Sequence, residues 1–181
     1  MMKIIKNTSM GIVAIVALLV AVSFFLPSKV HVERSATIKA PVDSLFYMVN
    51  ELKNWGRWSA WAQIDPNGTK WVYSEPSSGQ GAWYTWDSNN PDVGKGKLTI
   101  AECIPNKYLK NELDFDEMGT SVSEIFFDEA PKGTTTIKMT LDCDMGNNPV
   151  GKYMGLMMDK WVGDDYEKCF KNMEVLAQQW Q

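Results

Sequence analysis

Histidine is almost missing: among 181 residues only His31 is one. A Ser/His/Asp or Cys/His set and a histidine-rich facial metal triad therefore cannot be assembled from such a chain. Cysteine is scarce as well. Cys103, Cys143 and Cys169 stand far apart and lack the CxxC or Cys/His spacing of a zinc site. No metal and no cofactor are expected. There is no surplus of positive charge, since 18 Lys and Arg face 22 Asp and Glu for a formal charge of -4. Nucleic acid needs a basic footprint on its partner and is excluded on that ground. The two G-x-G runs, Gly79-Gln80-Gly81 and Gly94-Lys95-Gly96, do not lead from a strand into a helix, so neither reads as a phosphate cradle. His31, beside an apolar N-terminal segment, reads as a surface residue rather than a ligand.

What is present is apolar bulk. Hydrophobic residues make up 45% of the chain, with eight Trp and eleven Met, enough for one globular domain with a real core. Side chains of these two types fill cores and line adaptable pockets equally well. Met10 to Leu26 is an almost unbroken apolar run, preceded by Lys3 and Lys6 and closed by Pro27, Ser28 and Lys29. It sits at the short edge of the about 17 to 25 residues that span a bilayer, and reads as a membrane helix, either an uncleaved anchor or a secretory signal. The nearest small-x-small site, Ala21-Val22-Ser23, is followed by bulky Phe24 and Phe25, which favours the anchor. Residues 1–28 are expected to be this segment and 29–181 the globular domain. Lys3 and Lys6, set against the mixed charges of Lys29, Glu33 and Arg34, place the domain outside the cytoplasm by a small margin; the odd number of cysteines leans the other way.

Val30 to Ile38 alternates with the period of a strand. Val42 to Leu52 carries Val42, Leu45, Phe46, Val49 and Leu52 at helical spacing, and Trp55, Trp58 and Trp61 share a face of a second short helix over Asn54 to Ala62. Six more strands are expected at Lys70–Ser74, Ala82–Asp87, Lys97–Ile104, Tyr108–Phe115, Ser121–Phe127 and Thr134–Asp142. The breaks between them, including Asp116 to Gly119, are short enough for consecutive antiparallel hairpins. Asn148 to Gln178 then reads as one long helix begun by Pro149. Its apolar stripe runs through Val150, Met154, Met157, Met158, Trp161, Val162, Tyr166, Cys169, Phe170, Met173, Leu176 and Ala177. Lys152, Asp159, Lys160, Asp164, Asp165, Lys168, Lys171 and Glu174 fall on the other, solvated face.

Particular runs resemble the START-like (SRPBCC) superfamily, in its polyketide cyclase/dehydrase and lipid-transport branch. They are Ile38-Lys39-Ala40-Pro41 followed by Leu45-Phe46, Val49, Trp55, Trp58-Ser59 and Trp61; Gly79 to Trp86; Val93 to Ile100; and Met154 to Lys160 leading into Tyr166-Glu167-Lys168. The resemblance covers about Val30 to Ala177. It departs from the family at Trp58-Ser59-Ala60-Trp61, where Trp-Ser-Pro-Trp is common, and at Met139, where a tryptophan often ends the last strand. It implies the α+β helix-grip fold: a seven-stranded curved antiparallel sheet wrapped around the long C-terminal helix, here with an N-terminal membrane helix. It also implies a cavity between sheet and helix for an apolar or amphipathic molecule, without implying a reaction.

The expected function is a membrane-tethered domain, held through residues 10–26, that binds a hydrophobic small molecule or lipid. By strand alternation and helix spacing the expected lining is Tyr84, Trp86, Leu113, Phe115, Ile137, Met139, Met154, Met158 and Trp161, with Trp58 and Trp61 at the entrance; core packing accounts for each of them equally well. An enzyme, cyclase- or hydrolase-like, would need an inward acid or base. Glu112 and Asp114 are expected to face out, leaving Glu124 as the weak candidate for an inward carboxylate, its pKa raised by burial. The third alternative is a protein-interaction module whose exposed patch would draw on Trp55, Trp71 and Trp83, with no partner identified.

Overall fold

The computed structural model describes residues 2–116 and 119–179, residues 2–10 by their backbone alone. Glu117 and Met118 in the expected hairpin break, Trp180 and Gln181 at the end of the expected domain, and the side chains of Lys3 and Lys6 lie outside the described residues. The chain runs through α1 (Met2–Ser23), β1 (Lys29–Ile38), α2 (Val42–Asn50), a 3-10 turn (Leu52–Asn54), α3 (Trp55–Trp58), a second 3-10 turn (Trp61–Gln63), β2 (Lys70–Tyr73), β3 (Trp83–Asp87), β4 (Lys95–Ile104), β5 (Tyr108–Asp114), β6 (Thr120–Ala130), β7 (Thr134–Asp144) and α4 (Pro149–Gln179). The seven strands form one antiparallel sheet in the order β1-β7-β6-β5-β4-β3-β2, so only the return from β7 to β1 is not a hairpin. This is the helix-grip arrangement that the sequence predicts, except that the expected second helix over Asn54 to Ala62 shrinks to the four-residue α3 with a 3-10 turn on either side.

Strict alternation builds the inner face. Val32, Leu98, Ile100, Leu109, Ile125, Phe127, Ile137 and Met139 are buried there against Leu45, Met48, Val49 and Leu52 of the α2 region and against Tyr166, Phe170 and Met173 of α4. At about 25 cal/mol per Å2 of apolar surface removed from water, this layer is the principal stabilising term. The sheet accommodates Trp86 through Gly96, its cross-strand partner: a Cβ on Gly96 would stand 2.4 Å from the indole.

Glycines set the course of α4 at its start. A Cβ on Gly155 would meet Val30 at 2.9 Å, and one on Gly163 would meet the Arg34 guanidinium at 2.2 Å. The helix therefore lies directly on β1, clamped between these contacts by Arg34, which donates to the Asp159 carboxylate at 2.9 and 3.2 Å and to its carbonyl at 3.0 Å. Two expectations for this helix are corrected. Lys152, expected on the solvated face, is buried under α1 and donates to the Ser23 carbonyl at 3.2 Å, beside a Tyr153 hydroxyl that donates to Leu19 at 2.9 Å. Because the glycines face β1, Met154 and Trp161 turn outward instead of into the grip and are 48% and 45% exposed.

The expected membrane-spanning helix is not supported: among the described residues no helix is long and apolar enough to cross a membrane. The part of α1 beyond Asn7-Thr8-Ser9 ends at Ser23, where its carbonyl is tied to α4. Met10 to Ser23 measures about 21 Å at 1.5 Å per residue, short of the ~30 Å hydrocarbon thickness. Its described side chains are nevertheless apolar and exposed in every direction, with Ile12, Val13, Ile15, Val16 and Leu18 all more than half exposed.

Candidate functional site

Aromatic residues from the α3 region, β3, the second 3-10 turn and the residue after β5 form a continuous wall on one side of the inner face. Ring centroids step from Trp58 to Trp55 (4.6 Å), Trp55 to Tyr84 (5.8 Å), Tyr84 to Trp86 (5.9 Å), Trp86 to Phe115 (5.6 Å) and Phe115 to Trp61 (6.2 Å), mostly tilted or edge-to-face. Such offset geometry lets quadrupoles meet favourably. At the Trp58 end the wall is sealed: Trp58 is 1% exposed and its Nε1 donates to the Met48 carbonyl at 3.2 Å, while Trp55 Nε1 donates to Val49 at 2.7 Å. Trp58 thus pins the helices to the sheet and does not close an entrance. At the other end Trp61, Phe115 and Leu113 are only half-buried, with Met158 of α4 half-buried as well. Trp61 Nε1 is buried there without a hydrogen-bond partner among the described residues.

On β5 and β6 the inner face also carries a polar strip beside the apolar Leu109, Ile125 and Met139. Asn111, Ser123 and Ser121 are buried in a row of inward positions, and the Ser121 hydroxyl donates to Cys143 Sγ at 3.0 Å. Tyr166 of α4 reaches this strip and donates to the Thr140 carbonyl at 3.0 Å; burial holds its hydroxyl well above the usual phenol range, partly relieved by Ser123. Tyr84 is raised in the same direction by burial within the aromatic wall. Neither phenol serves as a base near neutral pH. Cys169, buried under a backbone N–H donated by Ala60 at 3.2 Å, is pushed up to about 11 and stays a thiol.

Of the predicted lining, Tyr84, Trp86, Leu113 and Phe115 stand together along the track, with Trp61 and Met158 across from them. Ile137 and Met139 are buried in the closed core. Met154 and Trp161 stand outside. Glu124 is the main correction: the inward positions of β6 are Ser121, Ser123, Ile125 and Phe127, so Glu124 lies on the outer face and accepts a hydrogen bond from the Tyr108 hydroxyl. The error is one of phase, because apolar Val122 and Phe126 sit outside while small serines sit inside. The register likewise turns Glu112 and Asp114 outward, as expected. Trp55 and Trp71 pack into the core and Trp83 lies under the Lys97 ammonium at 5.1 Å, so the predicted tryptophan patch is not formed. Asn111 was missed because Lys110 and Glu112 flank it; the signal was the Leu109-x-Asn111-x-Leu113 alternation.

A hollow of about 820 Å3 occurs at one end of the sheet, lined by the outward Lys97, Thr99, Glu112, Asp114, Asp142 and His31 with mixed charge and by Val30, Leu113, Ser121 and Cys143 of the inward register. Between the inner face and α4, Leu113, Phe115 and Trp61 mark a half-covered end.

A sequence profile for "Polyketide cyclase / dehydrase and lipid transport" matches residues 29–178, from the start of β1 almost to the end of α4. The chain belongs to that family. Within the solved structures, this polyketide cyclase/dehydrase and lipid-transport domain is similar to a protein of unknown function from Staphylococcus aureus, at 15% identity and TM-score 0.62, covering 83% of this chain and 96% of that one. It is similar also to norcoclaurine synthase from Thalictrum flavum, at 10% identity and TM-score 0.59 over 79% and 92% of the two chains. Ara h 8.0201 gives 13%, 0.55, 83% and 99% for the same quantities. At these identities the likeness concerns the fold. A search of curated proteins gave no match.

Proposed function

We propose that the domain binds a hydrophobic small molecule or lipid between the inner face of the sheet and α4, and that it does so as a carrier. The observation that supports this reading is the half-covered end of the aromatic wall, where Trp61, Phe115, Leu113 and Met158 leave apolar surface within reach of a ligand. Covering a few hundred Å2 of it at about 25 cal/mol per Å2 suffices for micromolar affinity after association costs. Glu124 lies on the outer face, away from this space, and binding without turnover is the role we propose. The test is uptake: fatty acids, fatty alcohols and phospholipids are added to the full chain, and quenching of tryptophan fluorescence is compared with Trp61→Phe. Saturable quenching that weakens in the variant supports the carrier; none at all rejects it.

Attachment to a bilayer through the apolar surface of α1, with the domain on the extracytoplasmic side, belongs to the same proposal. A protein groove covers one face of a helix, whereas α1 exposes apolar side chains all round, which suits lipid. Flotation of the full chain with liposomes, lost when Ile12, Val16 and Leu19 are replaced by serine, is the expected result; unchanged flotation would count against it. Cleavage of the domain by protease added to intact cells is expected for the stated side, and protection would reverse it.

A further inference from the structure

Asn111 is the most unusual residue of the inner face. It is 0% exposed, and both its amide nitrogen and its amide oxygen lack a hydrogen-bond partner among the described residues. A buried amide left unpaired is rare, because its desolvation goes uncompensated. Its neighbours do not satisfy it: Ile100 on β4 is apolar, and Ser123 on β6 is turned to Tyr166. Along β5 the inward side chains run Asn111, Leu113, Phe115, with Trp61 over Phe115. Asn111 thus lies on the same inward row as the half-covered Leu113 and Phe115, the latter about 13 Å away at 3.3 Å per residue. The charges available are equally specific. At inward register positions of the described strands the ionised side chains are Arg34, which Asp159 already occupies, and Glu129, exposed near the far end of β6. An anionic or cationic group carried to Asn111 would be buried without a counter-charge.

From this geometry we infer that the ligand is an amphipath whose leading end is a neutral group that both donates and accepts, a hydroxyl or a carboxamide, paired with the two halves of the Asn111 amide, while its apolar body lies over Leu113 and Phe115. Ser121, one position nearer the opening, and Trp61 Nε1, buried and unpaired at the mouth, offer further hydrogen bonds to a polar substituent. The inference rests on the carrier reading and adds the chemistry of the head group. It is tested by titrating the full chain with decanamide, decanol and decanoate at pH 8, with nuclear magnetic resonance of the Asn111 side-chain N–H2 as a direct readout. Decanamide and decanol are expected to bind at least tenfold more tightly than decanoate and to shift the Asn111 signals. Asn111→Leu is expected to fold, to be at least as resistant to heat as the parent, and to lose tenfold or more of its affinity for decanamide; Asn111→Ser gives the same comparison if leucine does not fit. Equal affinity for the three probes, tighter binding of decanoate, or unmoved Asn111 signals on saturation would overturn the inference and leave the carrier standing. No binding of any probe would overturn both.

Discussion

From Asp164 onward α4 buries Tyr166, Cys169, Phe170, Met173, Leu176 and Ala177 against the sheet, whereas between Pro149 and Gly163 it leaves Val150, Met154, Leu156, Met157 and Trp161 about half exposed or more. One helix with one apolar stripe therefore makes two kinds of surface. The difference comes from what faces β1: Gly155, Asp159 and Gly163 in the first half, large apolar side chains in the second. Small residues bring the helix backbone close to the strand and rotate the stripe away from the grip, and the end of the inner face near Leu113 stays half-covered. The opening that supports ligand binding is thus a consequence of glycine placement as much as of the aromatic residues that line it.

The sharpest way to break this comparison is to truncate one methionine from each half. Met173→Ala, at a site with no exposure, is expected to cost about 2–5 kcal/mol. Met154→Ala, at 48% exposure, should change stability by less than about 0.5 kcal/mol. Denaturant unfolding of both variants checks it, and equal effects would contradict the division. The second half also responds to alkali. Burial raises Cys169 to about 11 from an ordinary value of 9.0. The unfolded chain ionises first, so this contribution is intact below pH 9 and is lost as pH rises to 11, by about 2–3 kcal/mol. Tyr84 and Tyr166, raised in the same direction, add to the loss above pH 10. Melting temperature measured from pH 7 to 11 should fall over that window, less steeply in Cys169→Ala.

Within the first half, Gly163→Ala drives a methyl into the Arg34 guanidinium and is expected to cost about 1–3 kcal/mol by overpacking, read by thermal melting; a neutral effect would mean that α4 stands further from β1. The smallest change is Lys152→Ala. It removes the buried ammonium from the last carbonyls of α1, worth about 0.3–1 kcal/mol at a helix C-terminus, and hydrogen exchange in Leu19 to Ser23 should quicken while the sheet is unaffected.

Much of the fold was readable because the two periodicities are clean. All seven strands fall where alternation and turn residues put them, and Pro149 opens α4 as expected. Which side chains face inward was legible where bulk decided it, at Trp86, Leu113 and Phe115, and illegible where polarity did. Glu124 shares its phase with the apolar Val122 and Phe126, a pattern that reads as inward, while Ser121 and Ser123, which do face in, carry no apolar signal. Asn111 between two charged residues looked like surface. Met154 and Trp161 were misplaced because helical spacing defines a stripe but not the direction in which close-packed glycines turn it, and Lys152 because the docking of α1 on α4 is a tertiary event with no local signature.

The central claim is that an apolar, neutral-headed molecule occupies the track along β5. Native mass spectrometry of the full chain, purified without added lipid and compared with its denatured mass, tests it most directly. An adduct that is lost on denaturation, uncharged in its head group and weakened by Asn111→Leu, is the predicted result. A bare mass that takes up none of decanamide, decanol or decanoate would contradict it.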